Sequence, residues 1–278
     1  MIHSIALEAT TMGKPKAFLI HLLLSAAIVG ALLLVLVTRW YPMPYFVADG
    51  GWQGIRLVAA IDVVLGPLLT LVIYNRAKPR RKLLFDYSVI AALQACAFTF
   101  GVWTVFSART TVVVFTDGTF YTIGADEARF MHDPYPALLR EASGRPAYAM
   151  VNMPADPEAR QALRRESMTE RRPLFSFLNL VGPFTPEKVL QLAEYGIDLH
   201  DLLADHPQQT KEVDRFLADH GGTLDDYLFF PVKPRYRPLV LAFSRASGDL
   251  VDWLDLTLPT TVVVKRRSAA AVDTASDS

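Results

Sequence analysis

The sequence predicts a membrane protein with three transmembrane α-helices followed by an α+β extracytoplasmic domain, and three observations predict it. Of 278 residues, 51% are apolar and the mean hydropathy is +0.24, more than a soluble core of this length requires. Three apolar runs of about 20 residues, the length that crosses a bilayer, end at Phe106. Beyond it, strand-forming segments alternate with charged helical ones and turn signals.

The first run, Ala17 to Thr38, is 22 residues without Lys, Arg, Asp or Glu. A cleaved signal peptide would have a shorter apolar core and a small-residue cleavage site, whereas Arg39, Trp40, Tyr41 and Pro42 follow here. The second run, Ile55 to Tyr74, contains Arg56 and Asp62, and the third, Tyr87 to Phe106, contains Gln94. Spans over 17–38, 55–74 and 87–106 therefore form a membrane region at 17–106.

Basic residues are retained on the cytoplasmic side of a membrane. Lys14 and Lys16 precede the first span, and Arg76, Lys78, Arg80, Arg81 and Lys82 separate the second from the third without an acid. Residues 1–16 and that loop are thus expected in the cytoplasm, with Met12 as the expected true start. The loop from Arg39 to Gly54, whose Trp40, Tyr41, Tyr45, Phe46 and Trp52 suit an interfacial aromatic belt, is expected on the far side, as is everything after Phe106.

The zero net charge conceals an asymmetry. Through Phe106 there are 9 basic and 4 acidic residues, and after it 19 basic and 24 acidic. An acidic C-terminal half argues against nucleic acid as a partner. Cys96 is the single cysteine, so an exported domain would depend on its core rather than on a disulfide.

The domain expected at 107–264 begins with a hairpin, Thr110 to Thr116 and Thr119 to Ile123, around Asp117-Gly118, a pair that favours a type I′ turn. Helices are predicted over Asp126 to Met131, Pro136 to Ala142 and Asp156 to Thr169, with a strand over Ala147 to Val151. Thr185-Pro186-Glu187 reads as a helix start and Gly196 as its stop. Leu192 to Leu203 weakly resembles Leu217 to Leu228, suggesting a repeated helix, glycine cap and helix. Strands are predicted over Tyr227 to Val232, Leu239 to Phe243 and Leu250 to Leu256. The Ala, Ser and Asp tail at 265–278 has little to bury and is expected to be disordered.

No G-x-S-x-G, Gly-rich phosphate loop or H-E-x-x-H occurs, so no catalytic role and no cofactor are expected. His206 and His220 each follow Asp in a Leu-Ala-Asp-His string, but neither has a partner His at i, i+4. The helix dipole already favours histidine there, and no metal is expected.

Asp62 is the residue that most needs a partner, since a carboxylate inside a span costs roughly a few kcal/mol unless paired or protonated. Its expected depth is near that of Gly30 in the first span and falls between Gln94 and Thr99 in the third, polar side chains that are candidate partners. Gly66 follows one turn later, and Pro67 removes a helical donor at the same place. Together Asp62, Gly66, Pro67, Gly30 and Gln94 form a candidate intramembrane partner contact; alternatively, Asp62 fastens the three spans to one another. Ala26-x-x-x-Gly30 and Ala27-x-x-x-Ala31 offer a small-residue stripe for helix packing. No ionisable residue of another span is expected at the depth of His21.

One set of residues resembles a known family: Lys16 to Leu22 entering the first span, Tyr41-Pro42-Met43-Pro44-Tyr45-Phe46 with Gly50-Gly51-Trp52 after it, and Asp62 to Leu71. It is similar to the TfpX/TfpZ family of type IV pilin accessory proteins, from about Met12 to about Pro259 and most closely in the membrane half. The resemblance implies an inner-membrane protein of a Gram-negative bacterium that accompanies a cognate type IV pilin and assists its assembly into pili. Its partners would be that pilin, the lipid bilayer and the pilus assembly machinery, and no catalytic residues come with it. A membrane-anchored envelope sensor or scaffold is the competing class, although the inside loops leave no room for a cytoplasmic output domain.

Overall fold

A computed structural model describes residues 14–73, 79–132, 134–141 and 146–258. The expected start at Met12, residues 74–78 of the basic loop and the tail at 265–278 lie outside them. The chain divides into two units between Arg109 and Thr110.

In the first unit, α1 (Lys14–Val35) continues through a wider turn over Leu36–Trp40. A short α2 (Tyr45–Ala48) leads into α3 (Gly51–Ala59), a second wide stretch at Ala60–Leu65, and α4 (Gly66–Ile73). The long α5 (Arg80–Ala108) closes the unit. Pro15–Trp40, Gly51–Val72 and Arg81–Ala108 are each long and apolar enough to cross a membrane. The first and third extend the predicted spans at both ends, because a helix continues past the hydrocarbon-length run that reveals it, while the second begins four residues earlier than predicted and runs to Val72.

Both wide stretches have a sequence cause. Tyr41 N–H bonds Leu36 C=O at 2.6 Å and Gly66 N–H bonds Ile61 C=O, five residues back in each case, and each donor directly precedes a proline. A proline ring collides with the carbonyl four residues earlier, and a widened turn moves that carbonyl aside.

Helices α1, α3 and α5 pack around Val29, Leu32, Leu36, Tyr41, Phe46, Ile55, Val58 and Val105. Tyr41 donates its hydroxyl proton to Val105 C=O at 3.0 Å, and Trp40 meets Phe106 edge-on at 4.7 Å between ring centres. Two expectations are corrected here. Tyr41 and Phe46 are buried in this core, and Tyr45 is buried as well, rather than forming an interfacial belt. The stripe of Ala26, Ala27, Gly30 and Ala31 is exposed, and close approach instead uses Gly101, where a Cβ would come within 2.8 Å of a Val58 methyl.

The second unit carries a mixed sheet of seven strands among the described residues, in the order β4-β3-β1-β2-β5-β6-β7. These are β1 (Thr110–Thr116), β2 (Thr119–Gly124), β3 (Ala147–Val151), β4 (Val181–Pro183), β5 (Tyr227–Lys233), β6 (Leu239–Ser244) and β7 (Leu250–Leu254). The β1–β2 turn places Asp117 at φ 51° and Gly118 at φ 85°, the left-handed pair that the Asp-Gly signal predicts. β3 lies parallel to β1, and β5 parallel to β2, so the two halves of the sheet meet across β2 and β5.

Every residue of β1 is buried, which explains its near-continuous apolar run: both faces of the sheet are covered. On one face, α6 (Ala125–Phe130) and α7 (Tyr135–Glu141) pack Ala128 and Tyr135 over Val112, Val114, Ile123 and Ala149. Further along, α10 (Leu199–Asp205) and α11 (Thr210–His220) pack Leu199, Leu202, Val213 and Phe216 over Phe229, Val240 and Ala242. The alternate residues gather as an aromatic cluster in which Phe184 touches Phe115, Phe120, Tyr148 and Phe243.

Between these helices, α8 (Pro157–Thr169) has Asp156 as its cap, accepting from Ala159 N–H at 2.9 Å. The helix predicted from Thr185 is shorter than expected: α9 spans Pro186–Gln191, a single tight turn follows at Ala193–Tyr195, and Gly196 is extended at φ −67°. Thr185 bonds the Glu187 carboxylate rather than capping the backbone. The suggested repeat is not structural, since Leu202 and Leu203 lie within a helix while their counterparts Tyr227 and Leu228 enter β5. β4 escapes the sequence because it is three residues containing Gly and Pro at an edge of the sheet.

Candidate functional site

The site is built on three helices of the first unit. α1 and α5 both pack against the broken helix formed by α3, the wide stretch and α4. They meet at Trp40 and Phe106, and away from that end a groove of about 360 Å³ opens between them. One wall is His21, Leu24, Ser25 and Ile28; the other is Ala91, Gln94, Ala95 and Phe98. Each set is spaced i, i+3, i+4, i+7, one face of a helix, and Asp62 forms the floor.

Asp62 is 6% exposed. The Gln94 amide donates to its carboxylate, while Oδ2 is buried with no hydrogen-bond partner among the described residues. The wide stretch at Ala60–Leu65 contains Asp62 and sets where its side chain emerges. Gly66 and Pro67 are buried behind Gln94: a Cβ at 66 would overlap the Gln94 amide nitrogen and come within 2.8 Å of its Cδ. Glycine at 66 therefore makes room for the side chain that holds Asp62, rather than forming the groove itself.

Of the five predicted residues, the structure brings Asp62, Gly66 and Gln94 together and places Pro67 beside them. Gly30 is elsewhere: it is exposed, with no atom within 4 Å of a Cβ built there. Depth alone suggested Gly30, but azimuth turns it away from α4 and α5. His21 also departs from expectation. Its Nδ1 lies 2.6 Å from Thr70 Oγ1, and it lines the same groove as Asp62, so an ionisable residue of another span does share its surroundings. The i, i+3, i+4, i+7 spacing of both walls is visible in the sequence and would have pointed to Ser25, Ala91 and Ala95.

In the second unit the perturbed groups serve the fold. Burial pushes the Tyr135 hydroxyl well above its ordinary range, with the nearby Glu127 charge adding to the effect, and that hydroxyl donates to Phe175 C=O at 2.5 Å. Burial likewise raises Glu127, and the Arg235 charge opposes the rise. His220 Nε2 lies 2.9 Å from Asp252 Oδ2, which ties α11 to β7. No group of three His, Cys, Asp or Glu that could hold a metal ion occurs among the described residues.

The chain is similar to three curated proteins of Dichelobacter nodosus. It is 36% identical over 96 residues to the fimbrial assembly protein of serogroups C1 and C2, covering 34% of this chain and 73% of that protein. It is 38% identical over 96 residues to the fimbrial assembly protein of serogroup E1 and 36% identical over the same length to that of serogroup I. The match spans 37% of the length of each of the latter two. No family model and no solved structure matches the chain.

Proposed function

Because the chain belongs to the family of fimbrial assembly proteins, we propose that it is a type IV pilin accessory protein that holds a cognate pilin in the bacterial inner membrane and assists its assembly into pili. The observation that carries this reading is the groove between α1 and α5. A pilin awaiting assembly is an apolar helix with a globular head outside the membrane, and an apolar groove between two spans offers such a helix a lateral seat. The unit beginning at Thr110 would meet the head, and the pilus assembly machinery would take the subunit from there. The protein acts by contact, without catalysis or a cofactor. Among the five residues first singled out, Asp62 and Gln94 face the incoming helix, and Gly66 and Pro67 shape their support.

Site-specific photocrosslinking tests the seat. Leu24 and Leu23 are almost equally exposed, 59% and 61%, yet Leu24 lines the groove and Leu23 does not. A crosslinker at 24 is expected to capture the pilin and one at 23 to miss it. Equal capture at both positions would remove the groove from the account. A membrane-anchored sensor or scaffold, the competing class, would show no pilin at either.

The proposed orientation has the N-terminus and the loop between α4 and α5 in the cytoplasm and the second unit in the periplasm. An export-dependent reporter is expected to be silent when fused after Lys82 and active when fused after Gly124. The reverse result would invert the protein in the membrane.

A further inference from the structure

Resting on the docking reading above, we infer that the groove selects an otherwise apolar transmembrane helix carrying one hydrogen-bond donor, toward which the Asp62 side chain turns its unpartnered oxygen. The carboxylate is almost wholly buried at the groove floor, and its Oδ2 has no partner among the described residues. Two neighbouring polar groups are already engaged: Gln94 bonds the carboxylate, and His21 Nδ1 pairs with Thr70 Oγ1.

In its ionised form the carboxylate accepts and cannot donate, and in that form what the site lacks is a donor. Lipid tails contain none. The walls at Leu24, Ile28, Ala91, Ala95 and Phe98 are apolar, so the donor must arrive on an apolar body, as an amide or ammonium side chain on a helix does. Asp62 stands at the middle of the apolar run Gly51–Val72, which places the matching donor near the midpoint of the incoming helix. The groove thus reads one polar position against an apolar background. The contact is lost once the partner moves, because nothing else in the occupant is polar.

The test uses the full-length protein in vesicles of phosphatidylethanolamine and phosphatidylglycerol, with synthetic leucine-alanine helices of about 22 residues that are wholly apolar or carry a central Gln or Lys. Capture is read by the crosslinker at 24. The donor peptides are expected to be captured about tenfold more strongly than the apolar one, as befits a hydrogen bond to a charged acceptor. Moving the Gln toward either end should erase the preference. Asp62→Leu should bring the ratio to about one, in keeping with loss of that bond, while Asp62→Asn, which keeps a carbonyl acceptor and the side-chain size, should retain a preference for Gln.

A ratio near one in the wild type would overturn the inference, as would an unchanged ratio in Asp62→Leu, or a groove crosslinked only to a second copy of the chain. Pilin crosslinking in the same vesicles separates the two readings. Pilin captured without donor preference sinks the donor inference alone, and donor preference without pilin capture sinks the docking reading alone.

Discussion

Replacing Ala95 by Leu is expected to lower pilin crosslinking from position 24 by about tenfold or more, the consequence of losing about 1.4 kcal/mol or more when a fitted contact is overfilled. Ala95 is exposed on one wall of the groove, so the added carbons take up docking space without disturbing the bundle core. The level of the protein itself should not change. Ala92→Leu, an equal change at an exposed position outside the groove, is the control and should leave crosslinking intact. Gly66→Leu should also weaken crosslinking, through Gln94: the new side chain displaces the amide that it now accommodates and frees the Asp62 carboxylate to move. Crosslinking normalised to protein level is the measurement. An unchanged value in Ala95→Leu would show that the pilin does not occupy this groove.

Phe120→Ala is expected to destabilise the second unit by about 3–5 kcal/mol, the range for truncating a buried phenylalanine. Phe120 is fully buried. Its ring lies 5.0 to 6.2 Å from those of Phe115, Tyr148, Phe184, Phe230 and Phe243, counted between centres. It also sits on β2, where the parallel pairing with β5 joins the two halves of the sheet. Such a loss is a large share of the roughly 5–15 kcal/mol that holds a domain together. Phe130→Ala is the contrast, because Phe130 is 90% exposed and its removal should cost within about 0.5 kcal/mol. Urea unfolding of the detergent-solubilised protein, followed by protease cleavage beyond Arg109, distinguishes the two. Equal resistance of both variants would mean that the aromatic cluster does not hold the sheet.

The helices of the first unit were legible because an apolar run of membrane length has few alternative meanings. The Asp117-Gly118 hairpin was legible because both residues tolerate left-handed backbone. Asp62 stood out because an acid in such a run demands a partner. Depth named Gln94 and Thr99 together as candidate partners, since rise per residue is fixed along a helix, but only Gln94 lines the groove and Thr99 is exposed. Gly30 failed by the same measure, because depth gives the height of a residue and not the direction it faces.

The order of residues alone sets the division into an apolar, net basic first part and an acidic strand-and-helix second part, together with the single acid that interrupts the spans. These are properties of local composition and period, which each segment carries whatever surrounds it. Only the tertiary structure decided that Tyr41, Tyr45 and Phe46 turn inward, that the alanine stripe of α1 faces away from its neighbours, and that β2 and β5 join the sheet. It also decided that two helix faces far apart in the chain form opposite walls of one groove with Asp62 between them. Those outcomes depend on the rotation of each helix about its axis and on pairings between distant segments, both of which are set by packing against partners that no local window contains.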